Sequence, residues 1–343
     1  MYTEDETSQE SVARAESSSP TQFSSSRKAL IVSIGLIVVF NGNLGSSLPS
    51  GATAEIALDL HVTKGPQLVL LNSLYIVGYA IGPLLFGPMS EHVGRRPVLV
   101  ASHIGYMLFT MGCALSPKYG ILLLFRTLGG LVASAPNVAV GGLFADIYDN
   151  PTQRGRAMAI FIAVALMGPP LGPLISGCTS NISWRLCFWI GVAIAGAGLP
   201  LVLLLPETYE GILNRKADHG QHGTSRVLFT PPHKGELKVV FSRPFTMLWK
   251  EPMVLFTSLY LALVYSILYL FFQAYPIIFG GIYSLSSREI GMAFLPVSAG
   301  AVIALIQFVI FDVVWGRAKA QKAAWASDDK YARLPLACVG GPL

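Results

Sequence analysis

Hydrophobic positions in this chain are gathered into long, nearly unbroken blocks. They do not show the short alternating or three-to-four-spaced groups of a water-soluble fold. Eight blocks run over about 29–50, 67–89, 97–116, 119–145, 156–178, 185–205, 252–279 and 289–311. Each is near the roughly 20 residues a helix needs to cross a bilayer. A ninth starts near Leu334 and stops with the sequence at Leu343. The pattern predicts an all-α polytopic membrane protein. One polar interruption, 206–251, is far longer than the others and is basic and rich in Pro, Gly and His. It divides the chain into a six-helix bundle over 29–205, a linker over 206–251 and a partial second bundle over 252–343. His219, His222 and His233 fall in that linker and fit a solvated loop better than a metal site.

The first 28 residues are acidic and serine-rich with no apolar core, so they predict a disordered tail and exclude a signal peptide. Composition agrees with the blocks: 52% of residues are hydrophobic and 13% charged, with mean hydropathy +0.56. Cys113, Cys178, Cys187 and Cys338 are scattered and form neither a metal pattern nor a disulfide framework. Cys178 and Cys187 flank one loop, which leaves a bridge there open. Nothing in the sequence asks for a metal or a cofactor.

Charge sets the expected orientation. With the N-terminus inside, only Lys64, Lys118, Arg185 and Arg288 fall in outer loops, out of 24 lysines and arginines. Arg126 lies within a span and the remainder are inside, the asymmetry expected of cytoplasmic loops. The net charge of +5 thus reflects topology, with no reason to invoke nucleic acid.

Several polar residues break the apolar pattern. The loop after the second block reads GPMSEHVGRRP: Gly87 and Gly94 permit a tight turn, and Arg95 and Arg96 hold the loop at the inner face. Glu91 is expected to pair with those arginines or sit at a helix N-terminus. Asp146, at the inner end of the fourth block, is placed to pair with Arg95 or Arg96. Arg126 lies roughly 10 Å inside the same span at 1.5 Å per residue. At that depth an arginine costs at least ~2.5 kcal/mol unless it meets a partner, so it is expected to face the bundle interior. The fifth block holds Gly168, Pro169, Pro170, Gly172, Pro173 and Gly177, which bend a helix and let a neighbour approach. The seventh is rich in aromatics, with Tyr265, Tyr269, Gln273 and Tyr275, and the first carries Asn41 and Asn43. These are candidates for a substrate pathway that suits bulky or flat organic molecules. No span holds a clearly central acid, so a proton-carrying residue is not assigned.

Taken together, these segments resemble the major facilitator superfamily, most closely its fungal drug:proton antiporter branch of twelve spans. GPMSEHVGRRP is similar to the signature between spans two and three, FRTLGGLVASAP to the arginine motif of span four, and GPPLGPLISG to the antiporter motif of span five. SWRLCFWI and PETYEGILNRKA resemble phrases that bracket span six, and FDVVWGRAKA resembles a degraded copy of the first motif. The resemblance implies a major facilitator fold. It implies a multi-pass protein of the plasma membrane with a cytoplasmic N-terminus. The implied activity is alternating-access export of a drug-like toxin or secondary metabolite, driven by protons. It implies that Gly87, Glu91, Gly94, Arg95, Arg96 and Asp146 form a conformational latch. It also implies that the fifth-span glycines and prolines seal the two halves on the outer side.

Other readings stay open. The same fold serves nutrient or sugar uptake, which the antiporter-like fifth span disfavours. A chain ending at the start of a ninth span is also expected to be transport-incompetent alone. Eight blocks argue against a seven-helix receptor. His103 is the only histidine in any block and no nucleophile has a partner, which argues against an enzyme.

Overall fold

In hydrocarbon every backbone N–H and C=O must be satisfied within its own segment, so each apolar block closes into a helix. A computed structural model describes residues 21, 23–62, 65–209, 212 and 246–321, with the side chains of 65 and 66 excepted. Most of the expected tail and linker, and the apolar segment from Leu334, lie outside the described residues. Among the described residues, eight helices are long and apolar enough to cross a membrane: Ser25–Ser47, Gln67–Val93, Arg95–Leu115, Tyr119–Ile147, Pro151–Thr179, Arg185–Leu203, Pro252–Ile282 and Ser287–Ala320. They are called spans one to eight.

Spans one and five begin before their apolar blocks because polar caps extend them. The Ser24 hydroxyl accepts the Arg27 N–H, and the Asn150 side chain accepts the Thr152 N–H at 2.9 Å. Span four divides at Ser134 into Tyr119–Ala133 and Ala135–Ile147, where Pro136 supplies no N–H to the ladder. Span seven passes at Pro276 into a π-helical stretch, Pro276–Ile282.

Spans one to six form a bundle in which span one packs on five, two on four, and three on four and six. Span eight packs along span five, and span seven exposes Phe256, Leu259 and Leu263, residues suited to lipid. The bundle interior is layered. One end is filled by Ile31, Ile34, Val38, Leu143 and Phe144, the other by Leu44, Leu48, Leu122, Trp184 and Phe188. Between them lies a layer with Tyr75, Tyr79 and Tyr106. Cys113, Cys178 and Cys187 are free thiols.

A short helix, Thr53–Asp59, follows span one and is tied back to span six. Asp59 accepts the Trp184 indole N–H and an Arg185 guanidinium N–H, both at 2.9 Å. The Trp184 hydrogen bond, aided by the Arg185 charge, holds this carboxyl below its usual value.

Candidate functional site

Helical spacing builds the site. Tyr75 and Tyr79 stand four apart on span two, Asn43 and Ser46 three apart on span one, and Tyr265 and Tyr269 four apart on span seven. Each pair therefore shares a face. With Asn137 of span four and Ala165 of span five, these residues line a cavity of about 530 Å³. Asn137 donates to the Tyr79 hydroxyl, which donates to Asn43 Oδ1 at 3.2 Å. The Asn43 amide is itself fixed by donating to the Val39 carbonyl at 2.9 Å. Tyr75 donates to the Gly42 carbonyl at 2.6 Å, and Tyr269 to Ser46 Oγ at 2.8 Å. The lining is aromatic and amide- or hydroxyl-bearing, without a charged side chain. Such a wall offers ring faces for stacking and a few oriented dipoles for recognition.

Arg126 stands one layer behind this wall. It is buried, and its guanidinium lies 4.4 Å from the Tyr75 ring centroid. It donates to the carbonyls of Leu71 at 2.8 Å, Gly45 at 2.5 Å and Ser46 at 2.8 Å. Gly45 and Ser46 belong to the last turn of span one, whose carbonyls have no helical partner and carry the negative end of the helix dipole. The charge is thus met by helix-end dipoles, and Arg126 joins spans one, two and four.

The Gly/Pro segment of span five packs against two elements. Pro173 lacks an N–H, which frees the carbonyl of Pro169, and the Ser47 hydroxyl bonds it at 2.5 Å. A Cβ on Gly168 would lie 2.8 Å from Leu44 N, and one on Gly172 would lie 2.7 Å from the Ser47 carbonyl carbon. Further along, a Cβ on Gly177 would lie 2.3 Å from the Ser287 carbonyl oxygen of span eight. The segment therefore permits close approach to span one on one side and to the start of span eight on the other. At its opposite end span five meets span eight again, through an Arg156 Nε to Asp312 Oδ2 contact of 2.6 Å.

The turn between spans two and three is built around an acid from elsewhere. Glu207 accepts the N–H groups of Arg95 at 3.0 Å and Arg96 at 3.3 Å, the first residues of span three. Gly94 has φ +109°, and a Cβ there would lie 2.5 Å from Glu207 Oε2. Arg95 reaches Asp146 Oδ2 at 3.3 Å and Ser90 Oγ at 3.0 Å, with the Tyr209 ring 5.6 Å away. Arg96 donates to the Leu203 carbonyl at 3.3 Å.

Several expected site residues sit elsewhere. Asn41 is two positions from Asn43, roughly 200° around the helix. It is buried toward span six, where its amide lies 4.0 Å from a Cβ built on Gly198. Gln273 lies one turn beyond Tyr269 and outside the lining. Tyr275 stacks instead on Phe294, with centroids 4.6 Å apart. Glu91 is exposed in the last turn of span two and makes no ion pair among the described residues; the helix N-terminus it was expected to occupy is capped by Glu207. Gly87 faces span four, 3.6 Å from Val138 Cγ1 by its built Cβ. Tyr75, Tyr79 and Asn137 were not anticipated, although the Asn72, Tyr75, Tyr79 spacing in an apolar span marks one polar helix face.

A family model described as Major Facilitator Superfamily matches residues 31–326. The MFS transporter paaT of Penicillium rubens is 36% identical over 280 residues, covering 78% of this chain and 51% of paaT. The efflux pump FUBT of Fusarium oxysporum is 32% identical over 282 residues, covering 79% of this chain and 47% of the pump. The chain spans about half the length of these curated relatives. A solved structure of the proton:xylose symporter XylE, bound to 6-bromo-6-deoxy-D-glucose, superposes with TM-score 0.57 at 16% identity. It covers 85% of this chain and 69% of that one, a likeness of fold alone.

Proposed function

Because the chain belongs to the major facilitator superfamily, we propose that it serves export of a small organic molecule, a drug-like toxin or secondary metabolite, by proton-driven alternating access. The observation that carries this reading is the tyrosine and amide cavity lined by spans one, two, four, five and seven. Its uncharged aromatic wall suits a flat organic compound, and its volume of about 530 Å³ is within the range of small-molecule sites. The name of the Fusarium relative, an efflux pump, supports the outward direction.

In this reading the Gly94 end faces the cytoplasm, as the lysine and arginine asymmetry favours, and the membrane is the plasma membrane. The Gly177 contact with Ser287 belongs to the outer seal, and the Arg95–Asp146 pair to a latch whose strength differs between the two access states. Among the described residues no carboxylate lines the cavity, so proton coupling is proposed for the whole protein and is not placed on one of these side chains.

Accumulation of a panel of fluorescent dyes and toxins, measured in cells with and without the chain, tests the reading. Lower accumulation of at least one compound with the chain present is expected. Accumulation that rises with expression would instead make it an importer.

A further inference from the structure

A second cavity, of about 430 Å³, lies at the Gly94 end of the bundle, between the beginnings of spans one and five and beside Tyr148. It takes no part in the transport reading. Along spans one and five its walls pass from a polar turn to an apolar one, with the Phe23 ring before the polar turn. At the rim stand Ser25 and Lys28 of span one, and Gln153 and Arg156 of span five. One helical turn further in, at the fourth position from each cation, stand Val32 and Ile160. The cations are held but not consumed. Lys28 donates one N–H to the Thr21 carbonyl at 2.6 Å and lies 5.5 Å from the Tyr148 ring centroid, which among the described residues leaves two N–H groups. Arg156 gives its Nε to Asp312, and its terminal nitrogens remain outside that bond. Both spans also begin here, so two positive helix-dipole ends reinforce the same sign.

From this arrangement we infer that the cavity binds an anionic phospholipid, with its phosphate between Lys28 and Arg156 and the start of an acyl chain against Val32 and Ile160. A soluble anion would use the rim but would leave the apolar half of the cavity wet. A neutral lipid would use the apolar half but would not balance the rim charge. Only a molecule with an anionic head and a hydrocarbon tail matches both, and the cavity lies at the first turns of two spans, the depth expected of lipid headgroups.

Native mass spectrometry of the full purified chain tests this, by titration with phosphatidylserine, phosphatidylcholine and inorganic phosphate. Phosphatidylserine is expected to bind most tightly. The double variant Lys28→Gln, Arg156→Gln is expected to weaken it about 30-fold, from ~1 kcal/mol for each basic residue near a membrane surface. Asp312→Asn, which removes the ion-pair partner of Arg156 and leaves both cavity cations in place, should not weaken binding. Ile160→Trp fills the apolar half without changing charge and should weaken phosphatidylserine but not phosphate; it keeps the test open should the double variant fail to fold. Equal binding of phosphatidylserine and phosphatidylcholine would overturn the inference. So would competition by inorganic phosphate at the lipid's own affinity, or wild-type retention by both cavity variants.

Discussion

The Tyr269 hydroxyl donates to Ser46 Oγ at 2.8 Å, joining span seven to span one across the cavity. It is a polar tie between the six-span bundle and the two spans that follow. Its donor and acceptor both line the cavity, so a ligand entering there competes with the bond or uses it. Tyr269→Phe keeps the ring and removes the tie. A net hydrogen bond is worth ~0.5–1.5 kcal/mol, so a change of roughly 2- to 10-fold in apparent substrate affinity is expected at unaltered surface level. Transport kinetics identical to wild type would show that the hydroxyl faces neither substrate nor moving surface.

Ser47 and the prolines of span five give a stability prediction. Ser47→Ala leaves the Pro169 carbonyl buried without a donor, at a cost of ~1–3 kcal/mol. Gly172→Ala inserts a methyl group 2.7 Å from span-one backbone and is expected to cost ~1–3 kcal/mol by overpacking. Both should lower the melting temperature of the purified chain, and a conservative change at lipid-facing Leu259 should not. If Gly172→Ala melts with wild type, the two helices are not held at the described distance.

At the turn between spans two and three, Glu207 and Glu91 are expected to behave differently. Glu207→Ala removes a cap that satisfies two helix N–H groups and is expected to cost ~0.5–2 kcal/mol. Glu91→Ala is exposed and should stay within ~0.5 kcal/mol. Thermal unfolding of the two variants side by side checks this. A larger loss at Glu91 would contradict the capping assignment.

The Asp59 tie predicts a pH dependence. Its carboxyl is held below its unfolded value of 3.8 by the Trp184 hydrogen bond and the Arg185 charge. The contribution is therefore fully present above that value and is lost as pH falls through the lower, folded value. Trp184 emission should report it: wild type and Asp59→Asn should differ at neutral pH, still differ at pH 3.8, and converge only once the pH has fallen below the lower, folded value. Spectra that already coincide at neutral pH would show that the Asp59 charge does not act on the indole.

Block-length hydrophobicity located every one of the eight spans, because crossing hydrocarbon leaves a helix no alternative way to satisfy its backbone. The ends moved by a few residues where polar caps such as Ser24 and Asn150 prolong a helix past its apolar block. The site was less legible. Tyr265 and Tyr269 stood out in an aromatic-rich span, and Asn43 as a polar residue in span one. Asn41 looked equivalent to Asn43 because composition carries no angle, and two positions along a helix point nearly opposite ways. Tyr75 and Tyr79 were hidden in an apolar block although their four-residue spacing was on view. Glu207 caps a helix that begins 112 residues earlier, a relationship no local pattern contains. Arg126 was expected to turn inward, and it does. Its partners are backbone carbonyls, which one-dimensional sequence does not single out.

Dye or toxin accumulation at matched surface levels, for wild type and for the double variant Tyr79→Phe, Asn137→Leu, tests the central claim most directly. That variant removes the relay from Asn137 through Tyr79 to Asn43 while keeping the cavity walls. The expected result is that wild type lowers accumulation of a compound chosen from the panel and the variant restores much of it. Accumulation that the variant lowers as strongly as wild type would contradict a role for this cavity in export.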